Sequence, residues 1–150
     1  MKISECIAPD SVEIDLTAPS KARLLQTLSE KAGRALNINE REIFSALQHR
    51  ETLGSTGIGA GIAIPHAPIA GLTKPFGLIA RLGKPLEFDS IDGVPVDVVC
   101  VVLSPPAGGG SHLTVLAQIA RLLRSPETLK KIRGATSKGQ LYAVITAAET

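Results

Sequence analysis

The sequence predicts a single-domain α/β layer fold, and three observations carry that prediction. Helical and strand-like stretches are mixed along the chain. The run Val96 to Leu103 is nearly all apolar and rich in β-branched residues, as a central strand covered on both faces must be. Glycine-rich loops fall between the elements, at strand ends where such folds place their sites. The chain has 150 residues, 44% of them hydrophobic, with no Trp, one Tyr and three Phe. At this length folding hides roughly 68–70% of the unfolded surface, so a sizeable core forms and it must be aliphatic.

The first helix is expected over about 20–36, where Leu24, Leu25, Leu28, Ala32, Ala35 and Leu36 recur at helical spacing behind Pro19. Asn39 precedes Glu42 by three, a capping-box pattern, and opens a second helix with Ile43, Phe44 and Leu47 on one face, ending near Arg50. Short strands follow at Gly61 to Pro65 and at Phe76 to Leu82. The central strand stops at Pro105-Pro106. The triple glycine 108–110 then leads into a helix capped by Ser111, carrying Leu113, Leu116, Ala117, Ala120 and Leu123. Two further short helices are expected at about 126–133 and 138–148. With no internal repeat or linker, one domain spans 1–150, its core about 3–147, and no fused carrier or membrane domain is expected.

Sixteen Lys and Arg against fourteen Asp and Glu leave a formal charge of +2, with no basic run of the kind that binds nucleic acid or a membrane surface. No continuous apolar segment suggests export or insertion, so a cytoplasmic place is expected. Cys6 and Cys100 lie far apart without ligand spacing, and Cys100, inside its apolar run, reads as a small buried hydrophobe.

The stretch GSTGIGAGIAIPHAPIAG, residues 54 to 71, concentrates Gly54, Gly57, Gly59, Gly61 and Gly71 with Pro65, Pro68 and His66. It is not a P-loop, because Gly61 is followed by Ile-Ala-Ile-Pro and not by Lys and Ser or Thr. It is not a dinucleotide fingerprint either, since both candidate GxG pairs meet an isoleucine at the third glycine position. What remains is a bent, glycine-lined surface with free N–H groups that lets a charged group approach the side chain at its exit. That side chain is His66, and the bare Ile58, Ile62 and Ile64 beside it would meet a partner.

An imidazole is unprotonated yet nucleophilic near neutral pH, so it can accept and pass on a phosphoryl group. A histidine after proline equally serves as a hydrogen-bonding turn residue. His112, in the first turn of its helix, sits where the dipole and free N–H groups favour an anion. Arg50 can offer a guanidinium fork to phosphoryl oxygens, and equally fits a solvated helix end. His49, its helix neighbour, points elsewhere and receives no role. A zinc site built on the three histidines is a distant alternative without HxxxH, HxH or HExxH spacing.

RETLGSTGIGAGIAIPH, from Arg50 to His66, closely resembles the active-site signature of the enzyme IIA domains of the bacterial phosphoenolpyruvate-dependent phosphotransferase system, in the fructose, mannitol and nitrogen-regulatory class. The resemblance continues through FDSIDGVPVDVVCVVLSPP and SHLTVLAQIARLLRSPE and covers essentially the whole chain. It implies a mixed sheet between helices and a histidine phosphorylated by an HPr-like phosphohistidine carrier. By position His66 matches the phosphorylated histidine, His112 the second histidine of the site and Arg50 the nearby arginine. Thr56 and the backbone at Gly57, Gly59 and Gly61 would steady the phosphoryl oxygens, and neither metal nor cofactor is implied. Ala67-Pro68 departs from the small-then-basic pattern of many members, which bears on carrier docking.

Two roles follow from the resemblance. One is a regulator whose phosphorylation state selects protein partners such as a kinase or a transporter subunit. The other is a sugar-specific IIA protein that passes its phosphoryl group to a IIB domain. ISECIAPDSVEIDLTAPSKARLLQTL is more similar to the nitrogen-regulatory type, so regulation is favoured; a homodimer stays open.

Overall fold

The computed structural model describes residues 2–106 and 110–148, with the side chains of 110–113 outside that description. After 3₁₀ turns at Ile3–Glu5 and Pro9–Ser11 come β1 (Val12–Leu16), α1 (Lys21–Leu36), α2 (Glu40–Thr52), β2 (Gly57–Gly59), β3 (Ile62–Ala63), β4 (His66–Pro68), β5 (Phe76–Leu86), β6 (Val96–Ser104), α3 (Gly110–Arg124), α4 (Pro126–Gly134) and α5 (Lys138–Ala147). The predicted α/β fold is the one observed. The strands form one mixed sheet in the order β1-β5-β6-β3-β2, with β4 also on β6.

β6 is the strand around which the rest is arranged. It runs antiparallel to β5 on one side and parallel to β3 and β4 on the other. β3 and β4 lie end to end along the same edge of β6, with Ile62 opposite Val98 and His66 opposite Val102. The break between them falls at Ile64-Pro65, where proline has no N–H to donate. This is why the strand expected over Gly61 to Pro65 is cut to two residues. The Pro65 carbonyl still accepts the Val102 N–H at 2.9 Å, which keeps the register into His66.

Alternation along β6 feeds two cores. Val98, Cys100 and Val102 join Val115, Ile119, Leu123, Ile132, Leu141 and Ile145 under α3, α4 and α5. Val99, Val101 and Leu103 join Leu24, Leu25, Leu28, Ile43 and Leu47 under α1 and α2. The sheet is therefore sandwiched between two helical layers, and the cores are aliphatic apart from Phe88 as the one fully buried aromatic among the described residues. Cys100 is the buried hydrophobe expected of it: burial first, then the nearby Cys6, pushes its thiol well above the ordinary range.

Several boundaries and faces differ from the sequence expectation for identifiable reasons. The Ser20 side chain caps α1 by accepting the Arg23 N–H at 3.2 Å, so Pro19 precedes the cap and is not its first residue. α2 is capped by Asn39 on the Arg41 N–H and runs two residues past Arg50, which places Arg50 within its last turn. α3 starts at Gly110, one residue ahead of Ser111, whose proposed capping side chain lies outside the described residues. The buried spine of α3 is Val115, Ile119 and Leu123, with Leu116 and Ala120 only partly covered and Ala117 exposed. β1 was not among the expected strands, although Val12, Ile14 and Leu16 alternate with acids; it pairs parallel to β5.

Candidate functional site

The end of α2, the β2–β3 hairpin and the start of β4 converge on His66. The hairpin turns at Ala60-Gly61, both at positive φ (57° and 80°), the backbone a tight two-residue connection requires. Gly61 is the residue that fits, because a Cβ there would stand 2.5 Å from Arg133 Nη2 and 2.9 Å from Asp97 Oδ1. Those two side chains form a forked pair, with Arg133 Nε and Nη2 each 2.8 Å from an Asp97 carboxylate oxygen and Nη2 also donating to the Ala60 carbonyl at 2.7 Å. On the other side of the turn Asp92 accepts the N–H groups of Ala60 (2.9 Å) and Val94 (3.0 Å), and these bonds, Ala60 first, hold its carboxyl below the usual range.

The glycines of the hairpin are closely packed. The space beside Gly57 is filled by Ser90, that beside Gly59 by Asp92, and that beside Gly61 by Arg133 and Asp97. Three of the N–H groups have partners within the protein: Thr56 donates to Glu51 at 3.1 Å, Gly57 to Ser55 Oγ at 3.0 Å and Ala60 to Asp92. Thr56, Gly57, Gly59 and Gly61 thus pack the hairpin against its neighbours. Ile62 and Ile64, expected as bare surface, are core residues at 0% and 5% exposure, because β3 lies against β6 in the sheet interior.

His66 itself is half-buried. Its Nδ1 lies 2.8 Å from the Ile64 carbonyl, and a carbonyl can only accept, so Nδ1 carries the proton and Nε2 the lone pair. Arg50 reaches across from α2 and directs Nε toward His66 Nε2 at 3.4 Å, while its Nη1 donates to the Gly54 carbonyl at 2.9 Å. The sequence-predicted pair is thus brought together, and Arg50 is not a solvated helix end. His112 lies in the first turn of α3, in the segment that follows the end of β6, and its side chain is outside the described residues. His49 is exposed on α2. Among the described residues no three of His, Cys, Asp and Glu gather as metal ligands would.

Glu51 was passed over in the sequence. Its carboxylate is 4% exposed, pairs with Lys21 Nζ at 2.9 Å, and accepts both the N–H and the hydroxyl of Thr56. Only its place beside Arg50 in RETLGST could have signalled this, since Lys21 lies thirty residues away in sequence.

The mixed sheet, sandwiched between helices, thus presents the His66 imidazole beside Arg50 at the start of β4. Residues 5–148 match the family model described as phosphoenolpyruvate-dependent sugar phosphotransferase system, EIIA 2. The chain belongs to this family, whose members carry a phosphoryl group on histidine within the phosphotransferase system. It is 43% identical over 145 residues to a nitrogen regulatory protein of Bradyrhizobium diazoefficiens, covering 97% of this chain and 95% of that one. It is 34% identical over 150 residues to the nitrogen regulatory protein of Escherichia coli, covering 99% and 92%. The crystal structure of the nitrogen regulatory protein IIA-Ntr from Neisseria meningitidis superposes with a TM-score of 0.91 at 31% identity, covering 96% of this chain and 99% of that one. No helix among the described residues is long and apolar enough to cross a membrane.

Proposed function

We propose that His66 is the residue that takes the phosphoryl group, on Nε2, from an HPr-like phosphohistidine carrier, and that the phosphorylation state regulates protein partners in nitrogen control. The observation that carries the reading is the Nδ1 contact with the Ile64 carbonyl. It holds the proton on one ring nitrogen and leaves the other with an in-plane lone pair beside Arg50.

The Nε2 lone pair attacks the phosphorus of the carrier's phosphohistidine in line. The new Nε2–P bond forms as the carrier's N–P bond breaks, and the electron pair of the broken bond returns to the carrier's imidazole. The proton stays on Nδ1, donated to the Ile64 carbonyl, whose oxygen stabilises the developing positive charge of the ring. Positioning and charge stabilisation supply most of the catalysis in phosphoryl transfer. Arg50 turns its guanidinium from Nε2 to the phosphoryl oxygens, and His112, from the first turn of α3, adds a second donor. No bond type is gained or lost overall, so the transfer runs in both directions. The nitrogen-regulatory role rests on the three similar proteins of that name and on the resemblance of residues 3–28.

Incubation with phosphoenolpyruvate, the general phosphotransferase enzyme and the HPr-like carrier is expected to add one phosphoryl group, labile in acid and stable in base as a phosphoramidate is. His66→Ala removes it. Undiminished labelling of that variant would overturn the assignment.

A further inference from the structure

We propose that Glu51 is a positioning residue for phosphoryl transfer: it locks the hairpin to α2 and so fixes both nitrogens of His66. The proposal rests on the reading of His66 as the phosphoryl acceptor, and its structural basis is a closed ring of contacts. Arg50 Nε meets His66 Nε2, and His66 Nδ1 donates to the Ile64 carbonyl. The Ile64 N–H donates to the Thr56 carbonyl at 3.0 Å. Thr56 in turn donates its N–H and its hydroxyl to the two oxygens of the Glu51 carboxylate. The peptide bond between Glu51 and Arg50 closes the circuit.

Each contact fixes what the next requires. Thr56 is the residue through which the hairpin meets α2, and it is 4% exposed, so water does not compete for its hydroxyl. A shift of Thr56 moves the carbonyl that holds Ile64, and Ile64 bears the carbonyl that sets the His66 tautomer. A shift of the α2 terminus moves Arg50 away from Nε2. Glu51 couples these two displacements because its one carboxylate binds both elements.

Lys21 completes the arrangement. Its ammonium lies 2.9 Å from Glu51 Oε1 and 4.5 Å from the centre of the Phe88 ring, and it donates to the Phe88 carbonyl at 3.4 Å. The Ser55 hydroxyl donates to that same carbonyl at 2.6 Å. A carboxylate taken out of water requires such a counter-charge, and a cation over an aromatic face is held in turn by the ring quadrupole. The charge of Glu51 is thereby matched within the protein, so its hydrogen bonds to Thr56 are charge-assisted.

The test uses the full chain with phosphorylated HPr-like carrier as donor and two readouts. The first is single-turnover transfer to His66 as a function of carrier concentration. The second is the ¹⁵N spectrum of the His66 imidazole in the unphosphorylated protein, which reports tautomer and Nδ1–H protection without any transfer. Glu51→Gln and Thr56→Val are expected to lower the saturated transfer rate by about 10- to 100-fold. The carrier concentration at half-maximal rate should move less than about threefold, since neither side chain is on the surface. Both variants should lose the single protected Nδ1–H tautomer. Thr56→Ser, which keeps both donors, should restore rate and spectrum. Thermal unfolding establishes that each variant is folded; Thr56→Val, nearly the same shape as the native residue, serves if Glu51→Gln does not fold. Wild-type rate and spectrum in a folded Thr56→Val protein would overturn the role of Glu51. Spectral changes in the variants, with a wild-type protein that accepts no phosphoryl group, would instead sustain the positioning and overturn the acceptor reading.

Discussion

The two nitrogens of one imidazole do different work in this protein. Nδ1 is fixed by a carbonyl two residues back in the chain, so the orientation of the ring is a local property of Ile64-Pro65-His66. Nε2 faces a side chain from another element, so its reactivity depends on packing at long range. His112 enters on the second side of this division. It is proposed to bind phosphoryl oxygens and not to attack, and removing it should leave His66 as the acceptor. His112→Ala is therefore expected to be phosphorylated more slowly, by about 10²–10³ if it resembles loss of one preorganised donor. Stopped-flow or quenched transfer from the carrier measures this; a folded variant with the wild-type rate, or one with no label, contradicts the supporting role. Arg50 and His66 were singled out through the resemblance of residues 50–66 to the family signature, and the structure brings their side chains together. The contacts of Glu51 were not legible in the sequence, since no local rule pairs residues 51 and 21.

At the scale of elements, long periodic segments were readable and short ones were not. α1, α2, α4 and α5 each have a cap residue, and they fall within a few residues of expectation. The face of α3 was misjudged because Leu113 to Leu123 is apolar nearly all round, so several helical stripes fit equally. β2 and β4 are three residues each, too short to show a period, and exist through pairing to β3 and β6. The packing around the glycines was not legible for the same reason: Ser90, Asp92, Asp97 and Arg133, which occupy the space beside them, lie some thirty or more residues further along. The hairpin is thus an element held by its neighbours, and acid should reveal it. The Asp92 carboxyl is held below its ordinary 3.8 in the folded chain, chiefly by the Ala60 N–H. A depressed folded value means that its contribution is in place above 3.8 and is lost as pH falls through the folded value. The Ala60 and Val94 amide resonances are expected to titrate together with a midpoint below 3.8, and Asp92→Ala to abolish that step. Independent midpoints, or one at or above 3.8, would contradict the clamp.

For the whole molecule, the consequence of this topology is that His66, the proposed acceptor, is half-buried at the start of β4 while Ile62 and Ile64 lie in the core and Ile58 is only partly covered. A partner that recognises the unphosphorylated protein therefore meets little of Ile62 and Ile64 and needs further apolar surface. Leu53, three residues beyond Arg50, is 72% exposed, and Ile91, adjacent to the Ser90 that packs on Gly57, is 91% exposed. Both flank the site on segments anchored to it, through the Arg50 contact with Gly54 and the Ser55 contact with Phe88. For a partner that seats on these residues and reaches His66, a phosphoryl group there would place uncompensated charge in the interface. A difference of about 1.4 kcal/mol between the two forms already changes affinity tenfold. Phosphorylated wild-type protein and His66→Ala protein, used as separate baits in extract of the source cells, are expected to retain different proteins. At least one regulatory partner, such as a kinase or a transporter subunit, should be held only by the unphosphorylated form. Leu53→Lys should weaken that retention while leaving the fold intact. Retention of a single IIB domain that removes the phosphoryl group, together with failure of a deletion strain to grow on one sugar, would overturn the regulatory reading in favour of sugar transport.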